Sequence, residues 1–442
     1  MVGALLAVAV MAGISTGGQG NGSGQAASLT SAGVSPTTQR VTTTQRVTTT
    51  TSRAEAIAQL QSRVVVSPAN GAAQQSLSVP VTVHASGAQI ERVHITGGPG
   101  THVLAGALDA ATGVWHSTGT MFPSTTYTVS FVVAGTVGTA TGLSAQGTRT
   151  FTTPAPAQDV TATVFPTPGI SVGIGEPIII MFSQPIDTYA AQQAVLSHIH
   201  IAMSKPVPGG WHWFSSVELH FRPTSYWPVG DGVQVSADLT DWDVGGGAWG
   251  EGSFSTEFMI GESRMSTVNL AAHEMTVTED GKVLYTFPIS GGDTQWPTMD
   301  GTHIVMDRES KVDMNSASVG IPQGSPGAYN ETVYWDVHIS DSGEYVHAAP
   351  WSVYAQGFQN VSHGCVNLSP ADAVTFFHFS RVGDIVQVID GPRPPLMGDH
   401  GVMDWSFGPG VVTWTPATVS QLTTSVTTIP TTTTPPPPGA PT

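Results

Sequence analysis

Charge and cysteine are both scarce in this chain. Only 10% of its 442 residues are Asp, Glu, Lys or Arg, and a single residue is cysteine. A lone cysteine cannot close an internal disulfide, so no covalent staple holds the fold. Positive charge is the rarer sign: 14 Lys and Arg against 31 Asp and Glu give a formal net charge of −17. No basic stripe is available to track a phosphate backbone, which excludes nucleic acid as a partner. The acidic balance favours solubility and disfavours docking on an anionic membrane face. The N-terminal apolar run, Val2 to Ile14, has 13 residues, against the roughly 20 of a membrane-spanning helix. It fits the core of an export signal, although no basic residue precedes it and the first one is Arg40. Residues 1–16 are therefore expected to be a signal peptide or membrane anchor, and the one contact with a membrane.

What the chain does have is glycine (50), proline (32) and 40% hydrophobic residues, enough for several cores; its length suggests about three domains. Residues 17–61 are low in complexity and carry the unit QRVTTT twice in tandem; they predict a flexible tether. Residues 418–442 end in TTTTPPPPGAPT and predict a disordered tail. Between them the chain is expected to be mainly β. Segments 79–85, 91–97 and 127–135 alternate apolar and polar residues, as do 177–183, 217–221 and 233–239, which predicts two Ig-like β-sandwiches over 62–154 and 155–262. A third, catalytic domain is expected over 263–391. Two hairpins are predicted there, turning at Asp280-Gly281 and at Asp341-Ser342-Gly343. One helix is signalled clearly, by Ser369 as N-cap, Pro370 at its first position and Asp372 three residues after the cap. Its apolar face is expected to be Ala371, Val374, Phe376 and Phe377, and its end to lie near Arg381. Residues 392–417 place Trp405, Phe407 and Trp414 in irregular sequence, and are expected to wrap onto the third domain.

Cys365 sits in Ser362-His363-Gly364-Cys365-Val366-Asn367. The ordinary role of a lone cysteine is that of a small buried apolar residue; its neighbours here argue for chemistry. A nucleophilic thiol needs a base, a small neighbour that lets substrate approach, amide donors for an oxyanion, and polar groups that orient the parts. Gly364 supplies the small neighbour, and the amides around Gly364 and Cys365 are the candidate oxyanion donors. His363 and Asn367 are polar residues flanking the thiol. His347 lies eighteen residues upstream at the end of the second hairpin, where it would form a thiolate–imidazolium pair with Cys365.

The segment 345–373, YVHAAPWSVYAQGFQNVSHGCVNLSPADA, resembles the catalytic signature of the YkuD-type L,D-transpeptidases: a His, about fifteen residues, then Ser/Thr-His-Gly-Cys-x-Asn. The two β-sandwiches, with Trp211-His212-Trp213 in the second, and the aromatic extension resemble the actinobacterial, mycobacterial-type members. The resemblance implies Cys365 as nucleophile and His347 as base and acid, oriented by the backbone carbonyl of Ala348. It implies a substrate pocket of Tyr329, Met314, Ser362 and Trp351, with Tyr329 and Met314 on a flap over roughly 303–335, and Val319 where relatives can have Tyr. It implies no cofactor and no metal. The implied substrates are diaminopimelate-containing peptidoglycan stem peptides, joined by 3→3 cross-links through a Cys365 thioester with loss of the donor's terminal D-Ala. Carbapenem β-lactams are the implied inhibitors, and an exported, wall-facing location the implied setting.

Three other functions share parts of this pattern. With water as acceptor the same site is an L,D-carboxypeptidase. A sortase also keeps His before Cys, but with wider spacing and a following Arg, which Arg381 could imitate. A non-enzymatic wall-binding protein would carry the same sandwiches and tethers without a reactive thiol. His198-Ile199-His200 with His212 lacks an acidic or Cys partner for a metal, and Trp211 and Trp213 are expected to be core.

Overall fold

The computed structural model describes residues 52–408 and 411–424; the N-terminal apolar run, most of the low-complexity tether and the end of the Thr/Pro-rich tail lie outside them. The described part is mostly β-strand. The first module pairs a four-stranded sheet (Val64–Ser67, Thr82–Ala85, Val114–Ser117, Gly106–Asp109) with a three-stranded one (Ala88–Thr96, Thr126–Gly135, Ser144–Thr152). Its alternation is plainest in Thr126–Gly135, where Tyr127, Val129, Phe131 and Val133 point inward to a core with Val83, Ile95 and Phe151. The tether predicted to end at 61 ends earlier. Arg53–Ser62 is a helix whose Ala56 and Leu60 are buried, because the segment carries an apolar face that the Thr-rich residues before it lack.

The second module stacks two five-stranded sheets, and each recruits a strand from the far C-terminus. Thr415–Pro416 pairs with Gly209–Ser215, and Leu422–Thr423 pairs with Ile199–Met203. Residues 392–417 do lie on the catalytic domain, with Arg393 on Glu344, Asp399 on Ser340 and Ser406 on Thr302, but not on it alone, and ordered chain continues past 418: this segment is a strap across both domains. Its aromatics find their partners in the second module. Trp405 and Trp414 sandwich the Arg222 guanidinium, at 4.5 and 4.6 Å from the ring centroids, and Trp405 Nε1 donates to the Gly175 carbonyl at 2.7 Å. Trp211 is core, as its burial shows, and Trp213 stacks on Phe182. His198 and His212 turn to separate carbonyls, of Asp238 and Thr413.

The third domain holds nine strands in chain order: β1 Arg264–Asn269, β2 Glu274–Glu279, β3 Lys282–Pro288, β4 Gly301–Ile304, β5 Asp307–Asn315, β6 Asn330–Ser340, β7 Glu344–Ala348, β8 Val366–Leu368 and β9 Ile385–Ile389. One sheet runs β3-β2-β1-β9-β4 and the other β5-β6-β7-β8. The β2–β3 hairpin turns on Asp280 and Gly281, both at positive φ (48° and 77°), as a two-residue turn that follows strand twist requires. Between the sheets lies a core of Val268, Val277, Val337, Val346, Val366 and Leu368, closed by Phe376 from the helix Pro370–Phe379. Ser369 caps that helix by accepting the Asp372 amide. The helix buries Ala373 and Phe376 rather than Ala371 and Val374, and stops at Phe379, short of Arg381.

A chain of carboxylates and imidazoles joins the second module to the turn between β6 and β7. His220, fully buried, bonds Glu218 through Nε2 at 2.8 Å and Asp404 through Nδ1 at 3.2 Å. His400 bonds the other Glu218 oxygen at 3.1 Å and Asp341 through Nδ1. An imidazole facing carboxylates with both nitrogens must carry both protons. Against burial, which lowers it, Asp404 and Glu218 raise His220 to about 9; the hydrogen bond to Glu218 raises His400 to about 9. Glu218, although its burial opposes this, is lowered to about 2 by the two imidazoles. Imidazoles raised above 6.5 contribute stability that is full below pH 6.5 and lost as pH rises through about 9. Glu218 contributes stability present above pH 4.5 and lost as pH falls through about 2. The junction is therefore tightest between pH 4.5 and 6.5, and melting of the full chain should occur at lower temperature at pH 9 than at pH 6. In His400→Gln that difference should shrink. Parallel melting curves for the two proteins from pH 6 to 9.5 would show that the junction does not set it.

Candidate active site

β7 and β8 run parallel, with His347 opposite Asn367. This register brings Cys365, one residue before β8, level with Tyr345. His347, Asn367, Ser362, His363 and Cys365 line one cavity of about 220 Å³ with Met314, Tyr329 and Trp351. The remaining two of the ten residues singled out from the sequence, Ala348 and Gly364, adjoin it through their backbones. Glu331, Val333 and Val361 line it as well; no motif marked them, and alternation along β6 is the only signal that could have placed Glu331 and Val333 there.

The tautomer of His347 follows from its partner. Nδ1 lies 3.0 Å from the Ala348 carbonyl; a carbonyl only accepts, so Nδ1 holds the proton and Nε2 is the basic nitrogen. Burial lowers His347 to about 4. The Cys365 thiol is pushed up to about 12, by burial first and then by the Glu344 and Asp336 carboxyls, against the Tyr345 and Cys365 amides that favour its ionised form. Its Sγ donates to the Gly343 carbonyl at 3.8 Å. Both shifts, thiol up and imidazole down, oppose the expected thiolate–imidazolium pair at rest, because burial penalises both charged forms and the charges nearest the sulfur are carboxyls.

The loop before β8 is braced from within. Ser362 Oγ donates to the Cys365 carbonyl at 2.5 Å and accepts the Gly364 amide at 3.1 Å. Ser362 therefore shapes the loop, and the Gly364 amide, one of the two singled out as oxyanion donors, is engaged with its hydroxyl, while the Cys365 amide is directed at Sγ. Gly364 has φ 127°, a region that side chains avoid, so its conformation and not its space requires glycine. Asn367 donates to Ser352 Oγ at 3.0 Å, which fixes its amide below the cavity. His363 lies between Trp296 and Tyr329, at 4.5 and 5.1 Å between ring centroids, and walls the cavity there. The flap is pinned by Gln323, whose amide donates to Asn315, Ser316 and the Tyr329 carbonyl. Val319 lies on the far side of Tyr329 with Gly343, Glu344 and Arg393. Glu344, buried and paired with Arg393 at 2.6 Å, is raised to about 7 by that burial. Sequence spacing gave no sign of this pair, since Arg393 belongs to the strap.

Residues 263–388 match the family model of the L,D-transpeptidase catalytic domain, and residues 72–243 that of a bacterial Ig domain. L,D-transpeptidase 2 of Mycobacterium tuberculosis is 35% identical over 351 residues, 79% of this chain and 83% of the relative. L,D-transpeptidase 5 of the same species is 32% identical over 351 residues, 78% of this chain and 74% of the relative. Among solved structures, an LD transpeptidase in complex with imipenem is 34% identical, covers 53% of this chain and 100% of its own, and superposes with a TM-score of 0.47.

The neutral resting pair makes a checkable statement about reactivity. Cys365 is the only thiol in the sequence, so iodoacetamide reports on it alone. With the thiol held up to about 12, its alkylation at pH 7 should be on the order of 100-fold slower than that of free cysteine, the smaller thiolate fraction outweighing the greater nucleophilicity of a more basic sulfur. The rate should still be climbing at pH 9.5. A plateau reached between pH 6 and 8 would mean that a thiolate–imidazolium pair exists after all.

Proposed function

The chain belongs to the L,D-transpeptidase family, and from that membership we propose that it joins peptidoglycan stem peptides by 3→3 cross-links through a thioester on Cys365. The observation that carries this reading is the His347 tautomer: with Nδ1–H held by the Ala348 carbonyl, Nε2 is free to take a proton in the cavity that the thiol also lines. As Sγ attacks the carbonyl of the donor's third residue, a diaminopimelate, its proton passes to Nε2 and an oxyanion forms. Collapse breaks the C–N bond to the terminal D-Ala, whose amine leaves with the proton from His347. The side-chain amine of a second stem then attacks the thioester, gives its proton to Nε2, and the sulfur departs and recovers it. No charge needs to be present at rest, so the burial of His347 and the partial burial of Cys365 are compatible with turnover.

A carbapenem offers the same thiol a strained amide carbonyl whose ring opening expels no leaving group, so the acyl-enzyme accumulates. The substrate lies outside the cell membrane, and an exported, wall-facing protein tethered through its N-terminal segment is part of the proposal.

Incubation with a disaccharide-tetrapeptide, followed by mass spectrometry, should yield a dimer lacking one D-Ala. Cys365→Ala should form none, and His347→Gln should lower turnover by 10²-fold or more, the usual worth of a positioned base. Loss of D-Ala without dimer would make the protein a carboxypeptidase. A carbapenem mass adduct that persists in Cys365→Ala would remove Cys365 as the nucleophile.

A further inference from the structure

The chain that leaves β7 and returns as β8 carries an aromatic stripe on its outer face. Trp351, Tyr354 and Phe358 follow a spacing of three and four residues through helical turns, which places them on one side. The turns are real: the amides of Ala355, Phe358 and Gln359 donate to Ser352, Ala355 and Ala355 carbonyls. On the opposite side Ser352, Ala355 and Gln356 are buried. The outer residues are the reverse of what folding alone would select: Trp351 is 48% exposed, Val353 49%, Tyr354 76% and Phe358 81%. The loop that presents them is firmly anchored. Gly357 donates to the Ile289 carbonyl, and Asn360 accepts the Gly291 amide at 2.8 Å and donates to Leu270 at 2.9 Å. A rigid backbone holding apolar rings in water signals a partner.

We propose that Trp351, Tyr354 and Phe358 form a stacking platform for the glycan strand that carries the donor stem peptide, which rests on the reading of the cavity as a stem-peptide site. Trp351 belongs to both surfaces: it lines the cavity with Cys365 and begins the stripe, so whatever extends outward from a bound stem meets Tyr354 and Phe358 next. A pyranose presents flat C–H faces that suit the electron-rich faces of aromatic rings, and its hydroxyls suit amides such as the exposed Gln359 at the stripe's edge. Charge points the same way. From Ala349 to Val361 there is no acid, lysine, arginine or histidine. An anionic bilayer is attracted by Lys and Arg beside the aromatics, and the loop has none. A stable dimer buries about 800 Å² per partner, whereas three rings at these exposures offer roughly 400 Å², the scale of a short oligosaccharide.

The experiment uses the full chain and the double variant Tyr354→Ala/Phe358→Ala, both of whose side chains stand largely in solvent and outside the catalytic cavity. Wild type should show a lower KM for a disaccharide-tetrapeptide than for the bare tetrapeptide. In the variant the KM for the sugar-bearing donor should rise roughly tenfold, the worth of one anchoring aromatic, while the KM for the bare peptide and the carbapenem acylation rate stay as they were. Tyr354→Phe, with Phe358 kept, should retain the wild-type ratio. Tetrameric N-acetylglucosamine, titrated against tryptophan fluorescence, should bind wild type and not the double variant; this arm reads the platform without turnover, so it stands apart from any failure of the cross-linking reading. An unchanged KM ratio with unchanged sugar binding overturns the platform. So does a variant whose only loss is binding to phosphatidylglycerol vesicles, or a concentration-dependent dimer of wild type that the variant abolishes.

Discussion

Parallel pairing of Glu344–Ala348 with Val366–Leu368 is the constraint from which the rest of the site follows. Antiparallel neighbours can be joined by two residues; parallel neighbours need a crossover of a dozen or more, most often a helix. Here the crossover, 349–365, must also place Cys365 at its end and leave His347 just before its start. In register, His347 faces Asn367, and the last turn of the crossover drops Cys365 beside them. The crossover forms no regular helix and closes in tight turns instead, tied back to neighbouring backbone by Gly357 and Asn360. One face of those turns packs on the sheet, so the other is left to solvent, and that is where the three aromatics stand. Site and platform are two results of one topological requirement.

The second constraint is dielectric. Placing a thiol and an imidazole together inside a protein does not by itself make them ions. Burial penalises both charged forms, and the nearest full charges around the sulfur are carboxyls, which oppose a thiolate. Asp336 shows the same physics without a partner: neither of its buried oxygens is hydrogen-bonded, and burial raises it to about 7. Glu344 is balanced only in part by Arg393. Around the thiol, then, the protein arranges neutral groups that ionise on demand, and the fixed element is direction: the Ala348 carbonyl orients one imidazole nitrogen and thereby assigns the other its work.

Much of this was legible from residues alone. The Asp280-Gly281 turn, the Ser369-Pro370 cap and the Ser362–Asn367 run each carry a local physical requirement, positive φ, an orphan amide or a strained loop, that few residue types meet, and all three stand where the spacing put them. Alternation located the sandwich strands for the same reason. What local pattern could not convey was which distant surface an element would meet. Trp405 and Trp414 signal that they need apolar cover, yet nothing in their own neighbourhood says that Arg222, some 180 to 190 residues earlier, provides it. Two-residue strands such as Thr415–Pro416 and Leu422–Thr423 are too short to show a period. Nor does spacing report protonation: Cys365 and His347 suggest an ion pair on paper, and the surrounding burial opposes it.

The strap also changes what the second module is for. Asp399, which precedes the strap's helix His400–Ser406, accepts the Asp341 and Ser342 amides and the Ser340 hydroxyl, and so fixes the turn whose next residue, Gly343, accepts the Cys365 thiol. His400 ties the same turn to Glu218, and Glu218 is tied to His220 within the second sandwich. The Cys365 sulfur is thus four hydrogen-bonded steps from His220 in another domain. A sandwich acting only as a spacer between membrane and wall would need no such connection, and a spacer's contacts would not include a buried imidazole bonded at both nitrogens to carboxylates. Such an arrangement costs desolvation unless every member stays in place, so the module and the turn hold each other in register, and the geometry around Cys365 is a property of both domains together.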